Sequence, residues 1–213
     1  VTRERGSSPT GAEAANGPRP TEAKLELLLA AAAALMARKG YEQTTIRDVA
    51  RETGFSLAGM YYYFENKEDL LYKIQRRTFG SLLREQEGIA ADTSDATERL
   101  RRLVQNHLSY FVRHADELKV CTFELQTLTE ERYGEIEQLR RRYYLVVAQA
   151  IAEILAGDSS GTEIGASVRH YTLFVFGMLN WIFMWFDEER DGPVERLGAE
   201  MIVLILRGLD GAR

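Results

Sequence analysis

The chain has 213 residues, 45% of them hydrophobic and 28% charged, the make-up of a globular protein with enough apolar side chains for a real core and length for one ordinary domain or two small ones. A formal net charge of −5 argues against an indiscriminate polyanion binder, and the single cysteine, Cys121, excludes an internal disulfide framework. The longest apolar run, Tyr171 to Phe186, is shorter than the roughly 20 residues that span a bilayer and is interrupted by Gly177 and Asn180. No amino-terminal stretch joins basic residues to an apolar signal core, so the expectation is a cytoplasmic protein with no membrane partner.

Residues 1–20 collect Gly, Pro, Ser and Ala without an apolar face, and a flexible arm carrying Arg3, Arg5 and Arg19 is expected there. From Thr21 an apolar stripe of Leu25, Leu28, Leu35 and Met36, threaded by alanines, predicts a first helix that ends at Gly40. After two short helices treated below, Asn66 as N-cap with Asp69 three residues on starts a helix reaching about Gly88. A polar break over residues 91–95 precedes a fifth helix to about Val112, and Asp116 opens a sixth containing Val120, Phe123, Leu125 and Leu128. Thr127 with Glu130 reads as a capping box for a long seventh helix that stops at Gly157. The last two are expected from about Thr162 to Phe186 and from about Pro193 to Leu209. With no sustained strand alternation and no internal repeat, the fold class is all-α, of about nine helices.

Between Thr44 and Lys67 the punctuation is that of two short helices and a tight turn. Thr45 caps a helix with Asp48 reaching back, Ile46, Val49 and Ala50 supply its apolar face, and Gly54 sits where a left-handed residue ends it. Phe55 plugs the turn and Ser56 caps the next helix, which makes a helix-turn-helix. Helical spacing puts Met60, Tyr61 and Phe64 on the inward side and Gly59, Tyr62 and Tyr63 outward. An aromatic outward face suits a major groove, where tyrosine hydroxyls bond phosphates and ring edges meet thymine methyls. Ser56 and Gly59 are small enough for close approach, Leu57 stands between burial and base contact, and Arg47 between phosphate and guanine edge. Lys67, in the first turn of the next helix, is placed to anchor a phosphate. From Thr21 to Lys73 seven basic residues face eight acidic ones, so bulk charge does not drive binding and a two-fold partner must double the contacts. The competing reading is a three-helix packing unit that never meets DNA.

The segment resembles the amino-terminal domain of the TetR family of regulators. It shares the glycine-aromatic pair Gly40-Tyr41, a Thr-Thr-hydrophobic helix start, and a Tyr-Tyr-x-Phe ending followed by Lys67, Glu68 and Leu70, over about residues 21–72. The resemblance implies that Thr44, Thr45, Arg47, Ser56, Gly59, Tyr62, Tyr63 and Lys67 lie at double-stranded DNA. Ala58, where glycine is common, and Tyr63, where histidine is frequent, depart from the pattern and put the base preference in question. The implied organisation is an arm over 1–20, a DNA-binding domain over 21–66 and an effector-binding and dimerisation domain over 67–213.

The larger part is too rich in apolar residues to be a spacer. The last two long helices need partners, and homodimerisation through them is expected, with Ala166 and Gly177 permitting close approach. Burial within one chain is the alternative. An effector pocket is expected among Phe111, Cys121, Phe123, Glu124, Tyr144, Phe176, Asn180 and Trp181, although aromatics at helical spacing are more often plain core. Asn180 needs hydrogen-bond partners in its apolar helix, from a ligand or a dimer mate. Gly177 to Phe186, with Gly192-Pro193 and a Leu-rich final helix, resembles the carboxy-terminal half of TetR-type regulators of fatty-acid, sterol or other acyl-CoA metabolism. That implies an acyl chain in the aromatic interior, with Arg140 to Arg142 or Arg169 meeting CoA phosphates; a solvated helix face is the plainer reading of the arginines. No cofactor is implied. The three histidines, His107, His114 and His170, form no HExxH, and His107 and His114 stand about 10 Å apart along one helix, too far to share a metal. With no phosphate loop or nucleophile elbow either, an enzyme is the rival class that the residues disfavour. A dimeric repressor released from a palindromic operator by a small hydrophobic effector is the expectation, with an activator as the alternative.

Overall fold

Helix α1, Pro20–Lys39, presents Leu28, Leu29, Ala32, Ala33 and Met36 as one buried face, and the two alanines let neighbouring helices approach closely. Gly40, at φ 85°, ends it. The computed structural model describes residues 20–157 and 165–211, and over these residues it has ten α-helices and no strand. The expected arm therefore lies outside the described residues apart from Pro20, as does a helix start at Thr162. No helix among the described residues is long and apolar enough to cross a membrane.

The two short helices are α2, Ile46–Thr53, and α3, Leu57–Met60, followed by α4, Lys67–Asp92, which runs four residues past its expected end at Gly88. Asn66 caps α4 as expected, its amide oxygen accepting the Asp69 N–H at 2.8 Å. Then come α5 (Ala96–Arg113), α6 (Ala115–Phe123), α7 (Glu130–Ala156), α8 (Ala166–Asn180), α9 (Glu188–Asp191) and α10 (Val194–Asp210).

Three expectations about the carboxy-terminal part need correction, the first being the length of α6, which ends at Phe123 and leaves Leu125 and Leu128 outside it. Thr127 does not cap α7. It belongs to a 3₁₀ turn, Leu125–Thr127, where its hydroxyl donates to the Glu124 carboxylate, and α7 starts at Glu130 with Thr129 at the cap position. Nor does α8 reach Phe186: it stops at Asn180, and a 3₁₀ turn over Ile182–Met184 leads to the separate short α9. Residues 181–186 are nearly all aromatic or β-branched, types that lose rotamer freedom in a helix, and Arg190 takes up the Trp185 carbonyl left at the break.

Two clusters of buried side chains form the core. One joins α1, α2 and α3 to Leu70, Leu71, Ile74 and Phe79 of α4 and reaches Val120 and Cys121 of α6 and Ile136 of α7. The other packs Leu82 and Leu83 of α4 with α5, α7, α8 and α10, around residues such as Leu103, Leu108, Ile151, Leu179 and Ile202. Helix α4 contributes to both, and its longest partner is α7.

Inside the second cluster, His107 of α5 is fully buried, hydrogen-bonded through Nδ1 to the Tyr143 hydroxyl, with its ring 3.8 Å from that of Phe111. Burial pushes its imidazole down to about 3. The folded protein keeps it neutral while the unfolded chain binds a proton below about 6.5. Its contribution is therefore complete above pH ~6.5 and declines by ~1.4 kcal/mol per pH unit as pH falls toward 3. Urea unfolding followed by circular dichroism between pH 7 and pH 4.5 should show His107→Gln with a stability-versus-pH slope shallower by about one proton.

Candidate nucleic-acid interface and interior cavity

The reading segment is held by short-range polar links. Thr45, in extended backbone, accepts the Asp48 N–H at 3.2 Å, and the Asp48 carboxylate accepts both the Thr45 N–H at 3.0 Å and its hydroxyl at 2.8 Å. Lys39 Nζ at 2.6 Å and Arg51 at 2.8 Å donate to the same carboxylate, which ties the end of α1 to the start of α2. The hydrogen bond from Lys39, then those from Thr45, hold the Asp48 carboxyl well below the usual carboxylate range. Gly54 closes α2 at φ 71°, a conformation that costs a β-carbon-bearing residue about 1–2 kcal/mol. Ser56 Oγ then accepts the Gly59 N–H at 3.1 Å, and a β-carbon on Gly59 would lie 3.1 Å from that same oxygen. Gly59 thus keeps room for the cap that starts α3.

Helix α3 is a single turn, and this changes the outward face. The chain tightens past Met60, with the Tyr63 N–H bonded to the Met60 carbonyl at 2.9 Å, so helical spacing no longer governs which way the tyrosines point. Met60 and Phe64 are buried as expected. Tyr61, expected inward, is 52% exposed, and Tyr62 is 77% exposed. Tyr63, expected outward, is half-buried, edge-on to Phe55 at 6.2 Å and to Tyr62 at 5.1 Å. Leu57 falls on the exposed side of its two alternatives, at 37%.

The other expected DNA residues divide in the same way. Thr44 is buried and donates its hydroxyl to the Gly40 carbonyl at 2.8 Å. Lys67 is half-buried, its Nζ donating to the Tyr41 and Glu42 carbonyls at 3.1 and 3.3 Å and standing 4.1 Å over the Tyr41 ring. These two side chains fasten the turn ahead of α2 instead of lying open at the surface. Thr45, Arg47, Ser56, Leu57 and Tyr62 are the exposed ones, joined by Tyr61, which was not among the expected contacts, and Arg47 has no ion pair among the described residues. Hydroxyls, a guanidinium and one aliphatic side chain are a set that bonds phosphates and touches base edges.

A cavity of about 560 Å³ lies between α4, α5, α6, α7 and α8. Phe111, Cys121, Tyr144, Phe176 and Asn180, five of the eight expected ligand residues, line it together. Phe123, Glu124 and Trp181 do not; Phe123 and Trp181 are exposed and pack about Phe183, and Trp185 nearby is also exposed. The wall also includes Arg140 and Arg141 of the arginine cluster singled out in the sequence, and residues that the sequence reading missed: Phe79 and Leu82 of α4, and Tyr133, Glu137 and Tyr143 of α7. The spacing 133, 137, 140, 141, 144 was the available signal, one helical stripe mixing aromatic and charged residues. Arg140 reaches over the Phe79 ring, its Cζ 5.5 Å from the centroid. Burial pushes the Cys121 thiol up to about 12, which keeps it protonated at neutral pH.

Away from the head, α8 and α10 each carry an apolar stripe that none of the described residues covers, the one on α8 beginning at Leu173 on the rim of the cavity. On α8 it is Leu173, Phe174 and Gly177, and on α10 Val203, Leu204 and Gly208, with Phe174 and Leu204 each 63% exposed and open space around both glycines.

Residues 93–209 match the family model for the C-terminal domain of tetracyclin repressor-like proteins, and residues 28–74 match that of bacterial regulatory proteins of the tetR family. The chain is 23% identical over 184 residues to the fatty acid metabolism regulator protein of Bacillus subtilis, covering 85% of this chain and 93% of the relative. It is 29% identical over 189 residues to the HTH-type transcriptional repressor KstR2 of Mycobacterium tuberculosis, covering 85% and 90%. Among solved structures, AibR in complex with isovaleryl coenzyme A and operator DNA superposes with a TM-score of 0.73 at 25% identity, covering 85% of this chain and 97% of that one.

The burial pattern makes neighbouring aromatics energetically unlike. Tyr62→Ala should change unfolding free energy in urea by no more than about 0.5 kcal/mol, whereas Phe64→Ala should cost about 3–5 kcal/mol.

Proposed function

The chain belongs to the TetR family of bacterial regulatory proteins, DNA-binding transcriptional regulators and not enzymes, and on that premise we propose that it is a homodimeric repressor of a palindromic operator, released by a small apolar effector. The observation that carries this reading is the double membership of α4: Phe79 and Leu82 line the cavity, while Lys67 at its other end holds the turn on which the reading helices stand. A ligand that spreads the cavity pushes on a helix that is also part of the head.

At the DNA, Arg47, Ser56, Leu57, Tyr61 and Tyr62 make the direct contacts. Thr44, Thr45, Gly59, Tyr63 and Lys67 position them, through the hydrogen bonds, cap and ring contacts described above. The family model leaves open which residues touch DNA, and burial favours this division. Two heads are needed because each offers few cations, and the uncovered stripes on α8 and α10 favour a two-fold four-helix contact as the means of pairing them.

The effector reading rests on an apolar, aromatic interior with Arg140 and Arg141 at its wall, a fit for an acyl chain with an anionic head. Similarity to a fatty acid metabolism regulator and to a protein crystallised with isovaleryl coenzyme A supports an acyl-CoA.

Two experiments test the proposal. Phe174→Glu with Leu204→Glu should yield a monomer in sedimentation and weaken binding to the DNA upstream of its own gene by about a hundredfold or more. A graded series of acyl-CoA thioesters should raise the melting temperature and release that DNA in an anisotropy titration, with Arg140→Ala/Arg141→Ala about tenfold less sensitive. No shift and no release across the series would end the acyl-CoA reading.

A further inference from the structure

The first turns of α4 and α7 are locked together by a polar cluster that lies outside both the cavity and the exposed reading surface. Glu68 of α4 accepts the Thr129 N–H at 2.9 Å through one carboxylate oxygen, capping α7, and accepts Arg132 at 2.7 Å through the other. The second terminal nitrogen of Arg132 reaches Asp69 at 3.1 Å. Asp69 is itself buried and accepts the Glu65 N–H at 3.0 Å and Lys73 Nζ at 2.7 Å. Arg132 lies over the Tyr72 ring with its Cζ 5.3 Å from the centroid, and the Tyr72 hydroxyl donates to Glu135.

Position along the two helices gives this cluster a consequence. On α7 the cavity wall begins at Tyr133, the residue after Arg132, and continues to Tyr144. On α4 the cavity residue Phe79 is about 18 Å of helix from Lys67, which holds the head. When α7 shifts to admit a ligand, either the two helices slip at their first turns or the start of α4 is carried along. A guanidinium forked between two carboxylates, beside a helix cap supplied by one of them, resists slipping.

We infer that Arg132 is a positioning residue that transmits occupancy of the cavity to the reading head, by holding Glu68 and Asp69 so that the start of α4 moves with α7. This rests on the effector reading of the cavity, and the test separates the two. The full chain carries spin labels at Glu52→Cys and Arg101→Cys, exposed positions on α2 and α5, with the buried Cys121 kept and the labelled protein diluted with unlabelled chain so that distances within one subunit are read. Arg132→Met is expected to broaden the distance distribution roughly twofold and to weaken operator binding about tenfold, with Arg132→Lys intermediate because it keeps the charge and loses the fork. If Arg132→Met folds poorly, Glu68→Gln, which retains an acceptor for Thr129, gives the same broadening. Distributions matching wild type in both variants overturn the inference. Palmitoyl-CoA is the separate arm: a shift in wild type that vanishes in Arg132→Met supports it, and an equal shift in both overturns it. No shift in wild type counts against the effector reading alone, and the broadening without ligand then decides the lock.

Discussion

Helix α4 is one continuous hydrogen-bonded rod, and the rest of the molecule is arranged around its inability to yield in the middle. Its first half supplies Leu70, Leu71 and Ile74 to the core of the head, and its second half supplies Leu82 and Leu83 to the core of the larger part. Close-packed interiors on both sides leave little slack. The head core also takes in Val120, Cys121 and Ile136, so apolar contact does not stop at residue 66, where the change of helix suggests a boundary. The head is therefore joined to the rest through packed side chains of α4, α6 and α7, not through a loose linker.

Electrostatics serves this architecture at short range. The chain carries a net charge of −5, and the basic residues near the head are largely engaged: Lys39 with Asp48, Lys67 with two carbonyls, Lys73 with Asp69. Each such bond is worth a kilocalorie or so, and their value lies in direction more than in sum. They set where α2 starts, how the turn before it is folded, and how α4 leaves the head.

Legibility followed the range of the forces involved. The caps at Thr45, Ser56 and Asn66 and the left-handed Gly54 were plain in the sequence because each is a local event between residues three or four apart. The tyrosines were misread because a period of 3.6 was carried past Met60, where the helix had already ended. The α7 cap was misplaced because its real partner, Glu68, lies 61 residues away from Thr129, a distance at which no pattern signals contact. The cavity was half legible: the aromatics of α5 and α8 announced it, while nothing in the local pattern of α4 singled out Phe79 and Leu82 from its other apolar residues.

The break in α8 leaves one further mark on the molecule. Both tryptophans of the chain, Trp181 and Trp185, fall in the short irregular run after that helix, next to the cavity residue Asn180, and the head contains none. Intrinsic indole emission from this protein is consequently a local signal. It registers the surroundings of one end of the cavity directly and the reading helices only through what they transmit to that end, a division of optical labour that the fold itself provides.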